Sequence, residues 1–66
     1  MALIINGKSE DIQGSVVLDV LKVKKIDPHL VTVELNDTII ERDQLGTVPL
    51  RDGDRLELLF YMGGGL

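Results

Sequence analysis

Apolar and polar positions divide the chain into short segments whose period changes along its length. Ala2 to Ile5 is apolar without alternation, which predicts a strand buried on both faces or one whose second face meets a partner. Asn6-Gly7 is a two-residue hairpin turn, because both positions tolerate positive φ. A more polar strand follows from Lys8 to Ile12, and Gln13-Gly14 break it. From Val16 the period lengthens. Val17, Val20 and Leu21 fall on one face of a helix, while Asp19 and Lys22 point away. Ser15 is the expected N-cap. Lys22, Lys24 and Lys25 crowd the helix end, where cations complement the dipole, and Asp27-Pro28 is the expected stop.

The second half returns to a period of two. Val31, Val33 and Leu35 alternate with Thr32 and Glu34, the pattern of a half-buried strand. Asn36-Asp37 make a turn into a short strand, Thr38 to Ile40. A short helical turn is expected around Asp43–Leu45, and a brief edge strand at Val48–Leu50, kept off the sheet centre by Pro49. Asp52-Gly53-Asp54 is a tight turn. In the last strand, Arg55 to Met62, the pattern sends Leu56, Leu58 and Phe60 to the core. Leu59 and Tyr61 share the outer face with Glu57 and, with Ile4 beside them, form an exposed apolar contact patch. The order strand, strand, helix, strand, short strand, strand predicts an α+β fold of the β-grasp (ubiquitin-like) type. A mixed sheet of four to five strands packs on one main helix, with the first and last strands parallel at its centre. The order by itself also allows a ferredoxin-like half.

Sixty-six residues make a single domain, 1–66, near the lower limit of independent folding, with a glycine tail at 63–66 expected to be flexible. A 44% hydrophobic content is enough to supply a core. There is no cysteine and one histidine, which excludes disulfides, thiol nucleophiles and imidazole–thiolate metal sites. A net charge of −4 argues against nucleic acid, which needs a basic face. No apolar run approaches the roughly 20 residues of a membrane span. No basic segment precedes the N-terminal apolar run, so a cytoplasmic protein is expected.

Internal catalysis has little to work with. His29 lies in a loop beside Pro28 and has no triad partner, so it reads as an exposed loop histidine. The pairs Glu41/Asp43 and Asp52/Asp54 lie in turns, where carboxylates cap backbone amides. The lysine group at the helix end reads as a solvated terminus. Gly63-Gly64-Gly65 is not a phosphate loop, since no Lys-Ser/Thr pair and no helix follow it. It is either an incidental tail or a slender arm able to thread into another protein's active site, a task for which the missing Cβ is suited.

These residues carry a resemblance. Asn6-Gly7-Lys8, Val31-Thr32-Val33-Glu34-Leu35-Asn36, Glu41-Arg42-Asp43 and Asp52-Gly53-Asp54, ahead of an apolar strand that runs into glycines, resemble the ThiS group of sulfur carriers. That group serves thiamin thiazole synthesis and is related to the MoaD group. The resemblance implies a carrier that is not itself an enzyme and binds no cofactor. Gly65, preceded by Gly64, would be adenylated by a ThiF-type activating enzyme using ATP and Mg, then converted to a thiocarboxylate with sulfur from a cysteine desulfurase pathway. A ThiG-type thiazole synthase would take the sulfur. Gly63, Met62, Tyr61 and Leu59 would form the tail and partner contact, and the free chain would be monomeric. The alternatives are a carrier for another pathway such as molybdopterin, a ubiquitin-like protein modifier, and a non-covalent β-grasp interaction module. Asn36-Asp37 stands where the family has Asn-Gly. Leu66 stands beyond the glycines, and its peptide bond leaves Gly65 without a free carboxylate. Proteolytic removal, an expression-vector remnant, or a chain that carries no sulfur would each account for it.

Overall fold

The computed structural model describes residues 1–61; the expectations for Met62, Gly63, Gly64, Gly65 and Leu66 lie outside them. Five strands and one helix occur in the order β1 (Ala2–Ile5), β2 (Lys8–Asp11), α1 (Val17–Val23), β3 (Val31–Leu35), β4 (Thr38–Ile40) and β5 (Arg55–Phe60). Short 3-10 turns occupy Pro28–Leu30 and Arg42–Gln44. The sheet order is β2-β1-β5-β3-β4. β5 is central, parallel to β1 through Ile4–Arg55 and Ile5–Leu56, and antiparallel to β3 from Val31–Phe60 to Leu35–Leu56. This is the β-grasp arrangement that the element order predicts, and it excludes the ferredoxin-like alternative.

The core lies between one sheet face and α1. Leu3, Ile5, Val31, Val33, Leu56 and Leu58 from the sheet meet Val17, Val20 and Leu21 from the helix, all buried. Ile12, Leu45 and Leu50 close its margins from the connecting segments. β1 is half-buried rather than buried on both faces: Leu3 and Ile5 point inward, Ala2 and Ile4 outward. A single helix covers a single face, so an all-apolar strand still alternates in burial.

Three local expectations are corrected. Ser15 does not cap α1. Val16 occupies the N-cap in extended conformation, and the Asp19 carboxylate reaches back to accept from the Ser15 and Val16 amides at 2.8 and 3.1 Å. Val48–Leu50 is not a sheet strand. Pro49 bridges to Val16 outside the sheet, with Val17 N–H donating to the Val48 carbonyl at 3.1 Å and Leu50 N–H to that of Ser15 at 2.9 Å. The segment braces the helix entrance. Finally, α1 stops before Asp27-Pro28. Lys25 adopts φ +58°, its N–H donates to Lys22 O at 3.1 Å, and Ile26 N–H donates to Leu21 O at 2.8 Å. That pair of bonds is a Schellman closure.

Both hairpin turns form where expected. Asn6 and Gly7 have φ +49° and +84°, and Asn36 and Asp37 have +50° and +72°, the mirror-image turn that matches strand twist.

Candidate functional site

β5 ends at Phe60, and Tyr61 is the last described residue before Met62 and the glycines in the sequence. Leu59 stands opposite Thr32 on the outer sheet face and is 47% exposed. Tyr61 follows, 59% exposed, with its N–H donating to the Leu30 carbonyl at 3.2 Å and its hydroxyl 2.9 Å from Thr32 Oγ1. The sheet therefore brings Leu59, Thr32 and Tyr61 together, and β3 holds the chain at the place where it leaves. Ile39 of β4 lies on the same face, across Glu34, and is also exposed. A shallow hollow of about 210 Å³ runs beside Tyr61, with Pro28, Thr32, Ile39 and Arg42 among its walls.

Two expectations for this patch fail. Ile4 is exposed but is not beside Leu59, because the parallel register sets it against Arg55, with Glu57 between them along β5. Phe60 has the parity of Leu56 and Leu58 yet is 53% exposed. Seven residues of helix extend only about 10 Å. Six residues of strand extend about 20 Å. α1 therefore cannot shelter the whole of β5. Both faces of the strand end are apolar and open, and Leu30 adds to them from the preceding 3-10 turn. Phe60, Leu30 and Ile39 were not read as contact residues from the sequence. Relative element lengths were the available signal for Phe60.

Several polar groups away from this patch are occupied with local structure. Asp52 Oδ1 accepts from Ala2 N–H at 2.8 Å, and Asp54 Oδ2 accepts from Arg51 N–H at 2.9 Å. Asp27 accepts from the backbone N–H of His29 at 2.9 Å and lies 3.1 Å from its ring nitrogen; these contacts hold the Asp27 carboxyl below its ordinary range. Lys24 pairs with Glu10 at 2.8 Å, tying the helix end to β2. Among the described residues no three His, Asp or Glu side chains gather as metal ligands, and no helix is long and apolar enough to cross a membrane.

The fold is a β-grasp sheet whose central strand ends in an open apolar patch, ahead of three glycines in the sequence. The chain belongs to the ThiS family, whose model matches residues 3–65. The crystal structure of the thiamine biosynthesis protein ThiS from Geobacter metallireducens is 39% identical. It covers 98% of this chain and 100% of its own, with a TM-score of 0.82. The NMR solution structure of a thiamine biosynthesis protein from the same organism is 38% identical, with a TM-score of 0.80 over 100% of this chain and 90% of that one. A thiazole synthase of Paramagnetospirillum magneticum is 33% identical over 66 residues. The match takes in 98% of this chain but 20% of that protein, so the chain spans about a fifth of that curated relative's length.

Proposed function

We propose that this chain is a sulfur carrier in thiamin biosynthesis and that Gly65 carries the sulfur. The observation that carries this reading is the family match, which runs through the whole fold and ends on Gly65. The Gly65 carboxylate attacks ATP on a ThiF-type activating enzyme, forming an acyl-adenylate and releasing pyrophosphate. A persulfide supplied through a cysteine desulfurase then displaces AMP to give an acyl disulfide, and a partner's second thiol cleaves its S–S bond, leaving a glycyl thiocarboxylate and a disulfide on the partner. ATP and Mg belong to the activating enzyme, and this chain supplies the carboxylate and the docking surface. With no cysteine in the sequence, no internal thiol competes for the activated end. The likeness to a thiazole synthase over about a fifth of that protein's length supports a ThiG-type synthase as the acceptor. Leu59 and Tyr61 form the described part of the docking surface, and Met62, Gly63 and Gly64 continue it as the arm.

A carboxyl already in amide linkage to Leu66 cannot be adenylated, so the competent form ends at Gly65. Intact mass spectrometry tests this. The chain and a version ending at Gly65 are each incubated with ATP, Mg, a ThiF-type enzyme and a cysteine desulfurase system. The expected result is a mass gain of one oxygen-for-sulfur exchange on the Gly65-ending form alone. No gain on either form, with an enzyme active on its own carrier, rules the reading out.

A further inference from the structure

The two hairpin turns share a feature that the turn geometry does not require. Each opens with an asparagine at positive φ, a conformation glycine adopts with less strain. What asparagine adds is a carboxamide, and both carboxamides reach β5. Asn36 acts where β5 begins: its Oδ1 accepts from Arg55 N–H at 3.0 Å and its Nδ2 donates to Asp54 Oδ1 at 3.0 Å. Asn6 acts near where β5 ends. Its Oδ1 accepts from Leu58 N–H at 2.7 Å, and its Nδ2 donates to the Leu58 carbonyl at 3.2 Å.

Asn6 thus serves both backbone groups of Leu58, as a residue of a neighbouring strand would. β1 itself can no longer do so. Its last pair with β5 is Ile5–Leu56, Asn6 N–H then donates to the Leu56 carbonyl at 2.9 Å, and the chain turns away at Gly7. The side chain lengthens the β1 side of the ladder by one step towards the arm. Beyond Leu58, β5 is paired on its β3 side alone, through Thr32, Val31 and the Leu30 carbonyl.

We propose that Asn6 is a positioning residue for the carrier reaction: its carboxamide fixes β5 at Leu58, so that the end of the strand, with Leu59 and Tyr61, is held ready for the activating enzyme. The inference rests on the carrier reading. It places the effect of Asn6 on docking and not on bond making. A strand end released from one of its two neighbours must be re-ordered when the partner closes on it, which weakens binding and leaves the chemical step alone.

The test uses Asn6→Gly and Asn36→Gly, each in the chain ending at Gly65. Both retain the turn and lose the carboxamide, so both lower stability, but only Asn6 bonds β5 near its C-terminal end. Amide hydrogen exchange and ATP–pyrophosphate exchange kinetics are measured below the melting midpoint of each variant. Asn6→Gly is expected to speed exchange at the Leu58 amide more than at Leu21. It is also expected to raise KM for the activating enzyme about five- to thirtyfold with kcat unchanged, the loss of one or two hydrogen bonds' net worth in binding. Asn36→Gly is expected to leave KM at the parent value. An unchanged KM in Asn6→Gly overturns the proposal. So does an equal rise in both variants, which would mark general destabilisation, or a fall in kcat alone. A parent chain that an active enzyme fails to activate defeats the carrier reading itself, a result distinct from all of these.

Discussion

Asp19 shows how one side chain sets the start of an element. Its carboxylate takes two backbone amides that would otherwise be orphaned at the mouth of α1, and those bonds, with Lys22 adding to them, hold its pKa below the ordinary value. The contact needs Gly14. That residue has φ +136°, and a Cβ there would run into the Asp19 side chain, with Oδ2 only 2.8 Å away. A carboxyl whose pKa is lowered by folding adds stability above its unfolded pKa, and that stability is lost as pH falls through the folded value. Wild type is therefore expected to exceed Asp19→Ala in urea midpoint at neutral pH. The gap should hold down to the ordinary carboxylate range and narrow below it, as read from urea titrations at stepped pH. The buried face of α1 was legible in the sequence because Val17, Val20 and Leu21 repeat at helical spacing. The cap was not. Ser15 before a helix satisfies the local pattern equally well, and what decides against it is the extended backbone of Val16 and its bridge to Pro49, a partner 33 positions away.

At the scale of elements, the end of α1 and the fate of Val48–Leu50 follow the same logic. Lys25 sits in the left-handed region that a Schellman closure demands, where a side chain is strained and glycine is not. Lys25→Gly is expected to raise stability by about 1 kcal/mol, visible as a higher urea midpoint at constant slope. A drop would mean that the lysine contributes something the closure geometry does not include. The sequence pattern points to a later helix end because Asp27-Pro28 is a strong local stop signal, while the closure at Lys25 carries no glycine to announce it. Val48–Leu50 has the apolar character of an edge strand. Whether such a segment joins a sheet depends on which backbone faces it, and here that is the helix entrance. Leu50 is buried all the same, so the apolar pattern reported burial correctly and pairing incorrectly.

For the whole molecule, the carrier reading gives β5 two tasks on opposite faces, and adjacent residues separate them. Leu58 is 4% exposed beneath α1, whereas Leu59 is 47% exposed on the outer face. The parity that assigns them was readable from Glu57 and the alternation around it. Where the core stops was not, because that depends on a helix half the length of the strand it covers, and so Phe60 was misplaced. Gly63, Gly64 and Gly65 stand out in the sequence by their place after an apolar strand, and they lie outside the described residues. The consequence is a clean division. Leu58→Ala should cost about 2–4 kcal/mol. That is a large share of the roughly 5–15 kcal/mol a small domain possesses. Leu59→Ala should change stability by less than about 0.5 kcal/mol, being a surface truncation, yet raise KM for the activating enzyme. Gly65→Ala, in the chain ending at residue 65, is expected to leave the unfolding midpoint unchanged and depress thiocarboxylate formation, because the added Cβ stands next to the carboxyl proposed to react. Urea midpoints and mass-spectrometric yields on the three variants separate the two tasks. A loss of stability in Leu59→Ala equal to that in Leu58→Ala would mean that the outer face is part of the core, and that the docking surface must be sought elsewhere.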